Sequence, residues 1–101
     1  MTTAIFKLVT IICEPVLSSK ILELAKQKGA TGFTITEVRG EGNGEKSSGE
    51  IPDLKSKIEI ISDSDSAGKI MNELAAQFFQ NYGLIVYSTE VSVLRPGKFK
   101  K

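Results

Sequence analysis

The chain has 101 residues, of which 41% are hydrophobic, and its 13 basic and 12 acidic residues leave a net charge of +1. This length predicts one domain with a small core, and the near-neutral charge argues against a protein that binds nucleic acid or another polyanion. A single cysteine excludes an intramolecular disulfide, and the lack of histidine weighs against a zinc site. The first ten residues lack the features of a signal peptide, and no stretch has the roughly 18 apolar residues of a membrane span, so we expect a cytoplasmic protein.

The first part of the chain predicts a strand, a helix and a second strand. Residues 4–12 are apolar and β-branched, which is typical of a strand buried on at least one face. Pro15 suits the first turn of a helix, whose apolar residues recur at three- and four-residue steps until Gly29 ends it. The β-branched residues that alternate within 31–39 predict the second strand.

A long polar segment, about 40–56, separates this strand from the next. Between Gly40 and Gly49 it contains almost nothing apolar. Such a composition stays mobile unless something holds it. In so short a chain the segment is either a disordered insertion or a functional part, and we interpret it as functional.

The rest of the chain predicts a strand, a helix and a final strand. Residues 57–62 alternate as a strand does, and the helix that follows has several candidate N-caps, Ser62, Asp63, Ser64 and Asp65. One continuous apolar stripe, expected in the core, is formed by Ala67, Ile70, Met71, Leu74, Ala75, Phe78 and Phe79. Asn81 and Gly83 end the helix, and the strand 84–94 is broken by Arg95, Pro96 and Gly97.

The order of elements predicts an α+β, ferredoxin-like βαββαβ sandwich over residues 1–101. Two right-handed crossovers give an antiparallel sheet with both helices on one face. The other face of the sheet would leave Ile and Val side chains uncovered, so we expect a homo-oligomer. Cys13, at the end of the first strand, is expected to be a small buried hydrophobe.

Several segments resemble the PII signalling proteins. GFTITEVRGEG at 32–42 resembles the strand that leads into their T-loop, and KSKIEI at 55–60 resembles the strand that leaves it. SSG at 47–49 and NYGLIVY at 81–87 resemble the PII-like branch, including proteins associated with bicarbonate transporters and carboxysomes. The resemblance spans essentially the whole chain. It implies a homotrimer with an adenine nucleotide in each intersubunit cleft and a T-loop, here about 40–56, that reports the nucleotide to a partner.

The sequence departs from the PII pattern in several places. Gly44 stands near the position of the T-loop glutamine that 2-oxoglutarate sensors use, and the loop has no tyrosine for uridylylation. Asn81-Tyr82-Gly83-Leu84 replaces the Gly-Asp-Gly-Lys B-loop, which favours AMP, ADP or cyclic AMP over Mg-ATP. The chain ends without the Cys-Gly-Pro segment of some relatives, so redox control is not implied.

The resemblance implies a nucleotide-binding set. Adenine needs apolar walls and a few hydrogen bonds, for which the candidates are Gly29, Ala30, Gly32, Phe33 and Thr34. The facing edge of the cleft, where glycine lets a ligand approach the backbone, would be Gly83, Leu84 and Ile85. The candidate phosphate ligands are Arg39, Lys46 and Arg95. The simpler interpretations remain open: helix ends at Gly29 and Gly83, a strand former at Thr34, and solvated charges at the three cations.

The T-loop residues expected to contact a partner are Glu41, Asn43, Glu45, Ser47 and Ser48. The implied partner is a membrane transporter for inorganic carbon, which would bring this cytoplasmic protein to the membrane, and bicarbonate is a further candidate ligand. No nucleophile–base pair is visible and no histidine is present, so neither an enzyme nor a catalytic cofactor is expected. The alternative is another small-molecule- or metal-binding ferredoxin-like trimer without nucleotide sensing.

Overall fold

The computed structural model describes residues 3–42 and 53–100. Its strands are β1 (Thr3–Cys13), β2 (Thr34–Gly40), β3 (Asp53–Ser62) and β4 (Ile85–Leu94), and its helices are α1 (Ser18–Gln27) and α2 (Ser64–Phe78). Short 3-10 turns occupy Pro15–Leu17 and Pro96–Phe99. All strand pairs are antiparallel in the order β2-β3-β1-β4. The predicted βαββαβ ferredoxin-like fold is confirmed.

Some boundaries differ from the predicted ones. β3 begins at Asp53, four residues before the predicted start, because Lys55 and Leu54 pair with Val38 and Arg39 of β2. The segment 53–56, which the sequence places in the T-loop, therefore belongs to the sheet. Pro15 begins a 3-10 turn that precedes α1, rather than the helix itself.

The predicted helix ends are formed by two residues of different chemistry. Gly29 ends α1 with a φ of +113°, a region that glycine adopts without a steric cost. Asp63 is the N-cap of α2, since its carboxylate accepts a hydrogen bond from the Ser66 N–H at 2.8 Å. This backbone donor also holds the pKa of Asp63 below its ordinary value.

The core lies between the two helices and one face of the sheet. That face presents Val9, Ile11 and Cys13 from β1 and pairs them with residues of β3. The helices contribute buried side chains at the predicted spacing, Ile21, Leu24, Ala67, Ile70, Leu74 and Phe78. Cys13 is buried as predicted, but the prediction that Phe79 lies in the core is wrong. Phe79 is 51% exposed because it lies on the edge of the apolar stripe, where Met71 and Ala75 are also only partly buried.

The other face of the sheet is covered only in part. Phe99 of the C-terminal turn packs edge-on against Phe6, with 5.9 Å between ring centroids, and Phe6 is buried. Farther along the same face, Ile85 and Tyr87 pair with Ile12 and Thr10 and remain 49% and 47% exposed. The single chain therefore leaves part of this face uncovered. No helix within the described residues is long and apolar enough to cross a membrane.

Candidate ligand-binding site

A notch forms where β2 and β3 run past the end of β1. Cys13, the last residue of β1, pairs with Ser56, whereas β3 extends to Asp53, which pairs with Gly40. On the opposite side, β4 begins at Ile85, opposite Ile12. The notch is therefore bounded by the β2–β3 ribbon on one side and by the α2–β4 link on the other.

This notch contains a cavity of about 170 Å³, called here the sheet-end cavity. Apolar side chains of β1, of the turn that follows it and of the α2–β4 link form much of its lining. The charged residues that the described part of the chain adds to it are Glu14, Arg39, Glu41 and Lys55. Gly40, Gly42 and Gly83 bring backbone to its surface. The cavity thus combines an apolar floor with charge and accessible peptide groups.

The α2–β4 link has backbone donors to offer a ligand. The N–H groups of Asn81 and Tyr82 donate to the Phe78 carbonyl at 3.2 and 2.9 Å, which ends the helix. The next two N–H groups, those of Gly83 and Leu84, make no backbone hydrogen bond within the described part of the chain. Two consecutive N–H groups beside a cavity can bind an anion, such as a phosphate oxygen or a carboxylate.

Cys13 lines the sheet-end cavity, and the pKa of its thiol is affected by the charges around it. Burial raises the pKa of its thiol, so the thiol is protonated at neutral pH. Glu14 raises this pKa further, and Lys55 lowers it. Both charged side chains are therefore close enough to act on the cavity floor.

A second cavity, of about 410 Å³, lies on the uncovered face of the sheet at the start of β2 and is called the open-face cavity. It is lined by Leu8, Thr31, Gly32, Phe33, Thr34, Glu59, Ile61, Lys98 and Phe99. The Thr31 hydroxyl donates to the Lys98 carbonyl at 3.0 Å and so joins the α1–β2 link to the C-terminal turn. Phe33 is 45% exposed, with the Lys26 ammonium 5.6 Å from its ring centroid.

The structure divides the predicted nucleotide-binding residues between the two cavities. The open-face cavity takes Gly32, Phe33 and Thr34. The sheet-end cavity takes Arg39, Gly83, Leu84 and Ile85. Thr34 and Val38 lie at opposite ends of this arrangement, about 13 Å apart along β2 at roughly 3.3 Å per residue. One chain does not bring the two groups together.

Other predicted residues lie elsewhere. Gly29 caps α1 and Ala30 is in the core, so neither lines these two cavities. Arg95 is exposed at the start of the C-terminal turn and has a left-handed backbone, with φ 57°. Glu41, a predicted partner contact, lines the sheet-end cavity. Lys46 and the predicted contacts Asn43, Glu45, Ser47 and Ser48 are outside the described residues.

Sequence reasoning missed many of the residues that line the cavities, among them Glu14, Lys55, Tyr82 and Lys98. Glu14 and Lys55 join the sheet-end cavity because the register of β1 and β3 places Cys13 opposite Ser56. Tyr82 lines the same cavity, and its ring lies 6.1 Å from that of Phe78. Lys98 lines the open-face cavity. The position of Tyr82 beside Gly83 was the available signal, whereas Glu14, Lys55 and Lys98 depend on tertiary structure.

The chain is similar to proteins of one family. The family model of the nitrogen regulatory protein P-II matches residues 6–98. A protein from Thermus thermophilus, described as PII-like signalling, is 34% identical over 98% of this chain and 99% of its own, with a TM-score of 0.84. CPII from Thiomonas intermedia, a nitrogen regulatory PII-like protein, shares the fold at lower identity.

Several CPII structures contain ligands. The one with ADP, AMP and acetate is 21% identical and covers 100% of both chains, with a TM-score of 0.88. The one with ADP and bicarbonate is 22% identical and covers 98% of each, with a TM-score of 0.85. The family match and the Thermus thermophilus relative confirm what the sequence resembles: the chain belongs to the nitrogen regulatory protein P-II family, in its PII-like branch.

Proposed function

We propose that this chain is a PII-like regulatory protein that binds AMP, ADP or cyclic AMP in clefts between neighbouring copies of itself. The division of the candidate residues between two cavities carries the proposal. The sheet-end cavity, at about 170 Å³, is smaller than the roughly 300 Å³ at which small-molecule sites begin. A cleft in which the sheet-end cavity of one copy meets the open-face cavity of the next would supply both sets of residues.

The open-face cavity has the chemistry that adenine and ribose need. Phe33, Leu8 and Ile61 offer apolar surface for the flat base. The hydroxyl of Thr34 can donate and accept a hydrogen bond, so it can distinguish the polar edge of the base. Gly32 has nothing within 4 Å of where a Cβ would be, which leaves room for the ligand beside the backbone.

The sheet-end cavity has the chemistry that phosphate needs. The N–H groups of Gly83 and Leu84 and the side chains of Arg39 and Lys55 can all donate to phosphate oxygens. Of these, Arg39 can form two parallel hydrogen bonds, whereas Lys55 acts as a point charge. Arg39 also stands at the base of the polar loop, so a phosphate held there would be coupled to the loop that follows it.

A homotrimer would cover the exposed face of the sheet. Ile85 and Tyr87 are apolar, about half exposed and on the same face as the open-face cavity. Closed cyclic assembly repeats one heterologous interface around an axis and creates one identical cleft per subunit. The same association that buries these side chains would therefore assemble the nucleotide site.

We further propose that the loop between β2 and β3 passes the state of the site to a partner protein, a membrane transporter for inorganic carbon. CPII, which shares the fold, has been observed with ADP and bicarbonate. Bicarbonate is a small anion that could bind the same backbone donors of Gly83 and Leu84. A loop that is ordered by one ligand and released by another is a common two-state signalling element.

Calorimetric titration tests the nucleotide proposal. The purified protein is titrated with AMP, ADP, ATP and cyclic AMP, each with and without bicarbonate, while light scattering gives the mass of the assembly. We expect micromolar binding with close to one nucleotide per subunit of a trimer. Adenosine serves as the control for the base alone, and it should bind more weakly than AMP.

Two results would remove the proposal. A trimer that binds none of the four nucleotides would leave the fold and the assembly intact without an adenylate site. A monomer that binds one nucleotide per chain would contradict the intersubunit cleft, because the described residues of one chain hold the two halves apart.

A further inference from the structure

The charges that the described residues contribute to the lining of the sheet-end cavity are balanced. Its lining includes two carboxylates, Glu14 and Glu41, and two cations, Arg39 and Lys55. The negative charge of a nucleotide grows with each phosphate, and sites for long phosphate chains supply an excess of cationic and N–H donors. A balanced lining is better matched to a short phosphate chain.

The fold fixes the backbone of Glu14 at the edge of this cavity. Glu14 follows Cys13 directly and has an extended backbone, with φ −64° and ψ 139°. Its carbonyl accepts a hydrogen bond from the Leu17 N–H at 3.0 Å, and Pro15 follows it. The turn into the first 3-10 segment therefore limits how far Glu14 can move from the end of β1.

Glu14 has no direct charged partner within the described chain. Across 3–42 and 53–100 its side chain forms no ion pair or hydrogen bond. It nevertheless lines the cavity together with Cys13 and Lys55, and it raises the pKa of the Cys13 thiol in opposition to Lys55. An anion that enters the cavity meets this carboxylate, and the volume of about 170 Å³ gives a phosphate chain little room to avoid it.

We propose that Glu14 is a specificity-determining residue that restricts the site to nucleotides with one or two phosphates and disfavours ATP. This inference rests on the proposed function, because it requires phosphates to enter the sheet-end cavity. Each added phosphate brings more negative charge toward the Glu14 carboxylate, and the repulsion is strongest for the triphosphate.

A charge series at this position tests the inference. Wild type, Glu14→Gln and Glu14→Lys are titrated with AMP, ADP and ATP in EDTA, and again with Mg²⁺. We expect wild type to bind ATP more weakly than ADP. Glu14→Gln should raise the affinity for ATP relative to ADP by about tenfold, or ~1.4 kcal/mol, and Glu14→Lys should raise it further. The affinity for AMP should change least.

Glu23→Gln is the matched control, since it removes one carboxylate from α1 at a residue outside the sheet-end cavity. It should leave the ratio of the ATP affinity to the ADP affinity unchanged. Three results would overturn the inference: equal ratios across the Glu14 series, a wild type that binds ATP as tightly as ADP, or a loss of Mg-ATP binding in Glu14→Gln. The last would make Glu14 a magnesium ligand. If no variant binds any nucleotide, the proposed function itself fails, which differs from an unchanged ratio.

Discussion

Gly29 and Ser66 are in direct contact where the end of α1 meets the first turn of α2. A Cβ at Gly29 would lie 2.6 Å from the Ser66 hydroxyl oxygen, too close for two non-bonded atoms. Ser66 is itself held in place, because its N–H and hydroxyl both donate to the Asp63 carboxylate, at 2.8 and 3.2 Å. Gly29, which ends α1, therefore packs against a serine that is held by Asp63, the N-cap of α2.

Gly29→Ala should lower the free energy of unfolding by about 2 kcal/mol. Alanine is strained at a φ of +113°, and its methyl group would collide with Ser66. Urea unfolding at neutral pH measures the change. Gly68→Ala is the control, since this exposed glycine within α2 has nothing within 4 Å of a new Cβ. This substitution should raise the free energy of unfolding by about 0.5–1 kcal/mol. Equal stabilities for Gly29→Ala and wild type would contradict the contact.

Asp63→Ala should lower the free energy of unfolding by about 1 kcal/mol, because α2 loses its N-cap. Because the pKa of Asp63 is lowered in the folded chain, its stabilisation is present above the ordinary carboxyl pKa and is lost as pH falls through the lowered value. Urea unfolding from neutral to acidic pH should show this component in wild type. Asp63→Asn keeps an acceptor for the Ser66 N–H and should remove the pH-dependent component while it retains most of the stability.

The sequence predicts the order of elements because the apolar residues keep a regular period. The stripe Ala67, Ile70 and Leu74 can be buried by one face of a helix, and it is. The period does not say which edge of the stripe the core covers, so Phe79 continues the stripe in the sequence and is exposed in the structure. The start of β3 is hidden for a similar reason, since polar residues such as Lys55 and Ser56 join the sheet through pairing with β2.

The lining of the candidate site was predictable only in part. Gly83, Leu84 and Arg39 are adjacent to recognisable chain breaks, and the structure places all three around one cavity. Glu14 and Lys55 reach that cavity through the antiparallel register of β1 and β3, which local patterns do not encode. The division into two cavities is a consequence of the length of β2, since a strand holds its two ends apart.

Arg95 offers a test that separates binding from stability. If its guanidinium holds phosphate, Arg95→Ala should weaken the binding of AMP and ADP far more than the binding of adenosine, as measured by calorimetric titration. Arg95→Gly should weaken the binding of both nucleotides to the same extent. It should nevertheless be more stable to urea than Arg95→Ala, by up to about 1 kcal/mol, because glycine adopts the left-handed backbone observed at φ 57°. Unchanged nucleotide affinity in both variants would exclude Arg95 from the site.

Complementation between two damaged subunits tests whether each nucleotide site draws on two chains. Arg39→Ala damages the sheet-end cavity, and Phe33→Ala damages the open-face cavity. A trimer of either variant alone should bind ADP poorly, because every cleft then lacks one half of its residues. Equal amounts of the two, unfolded and refolded together, should form mixed trimers in which about a quarter of the clefts have both halves intact.

Calorimetric stoichiometry of the refolded mixture measures those restored clefts. The same two variants mixed without unfolding are the control, since their subunits have not exchanged, and that mixture should bind no more ADP than either variant alone. If a mass measurement shows that the refolded mixture contains mixed trimers, and it still binds no more ADP than the control, both halves of each nucleotide site must come from one chain. Recovery of about one site in four would instead require that Phe33 of one copy and Arg39 of its neighbour hold the same nucleotide, as the separation of the two cavities along β2 predicts.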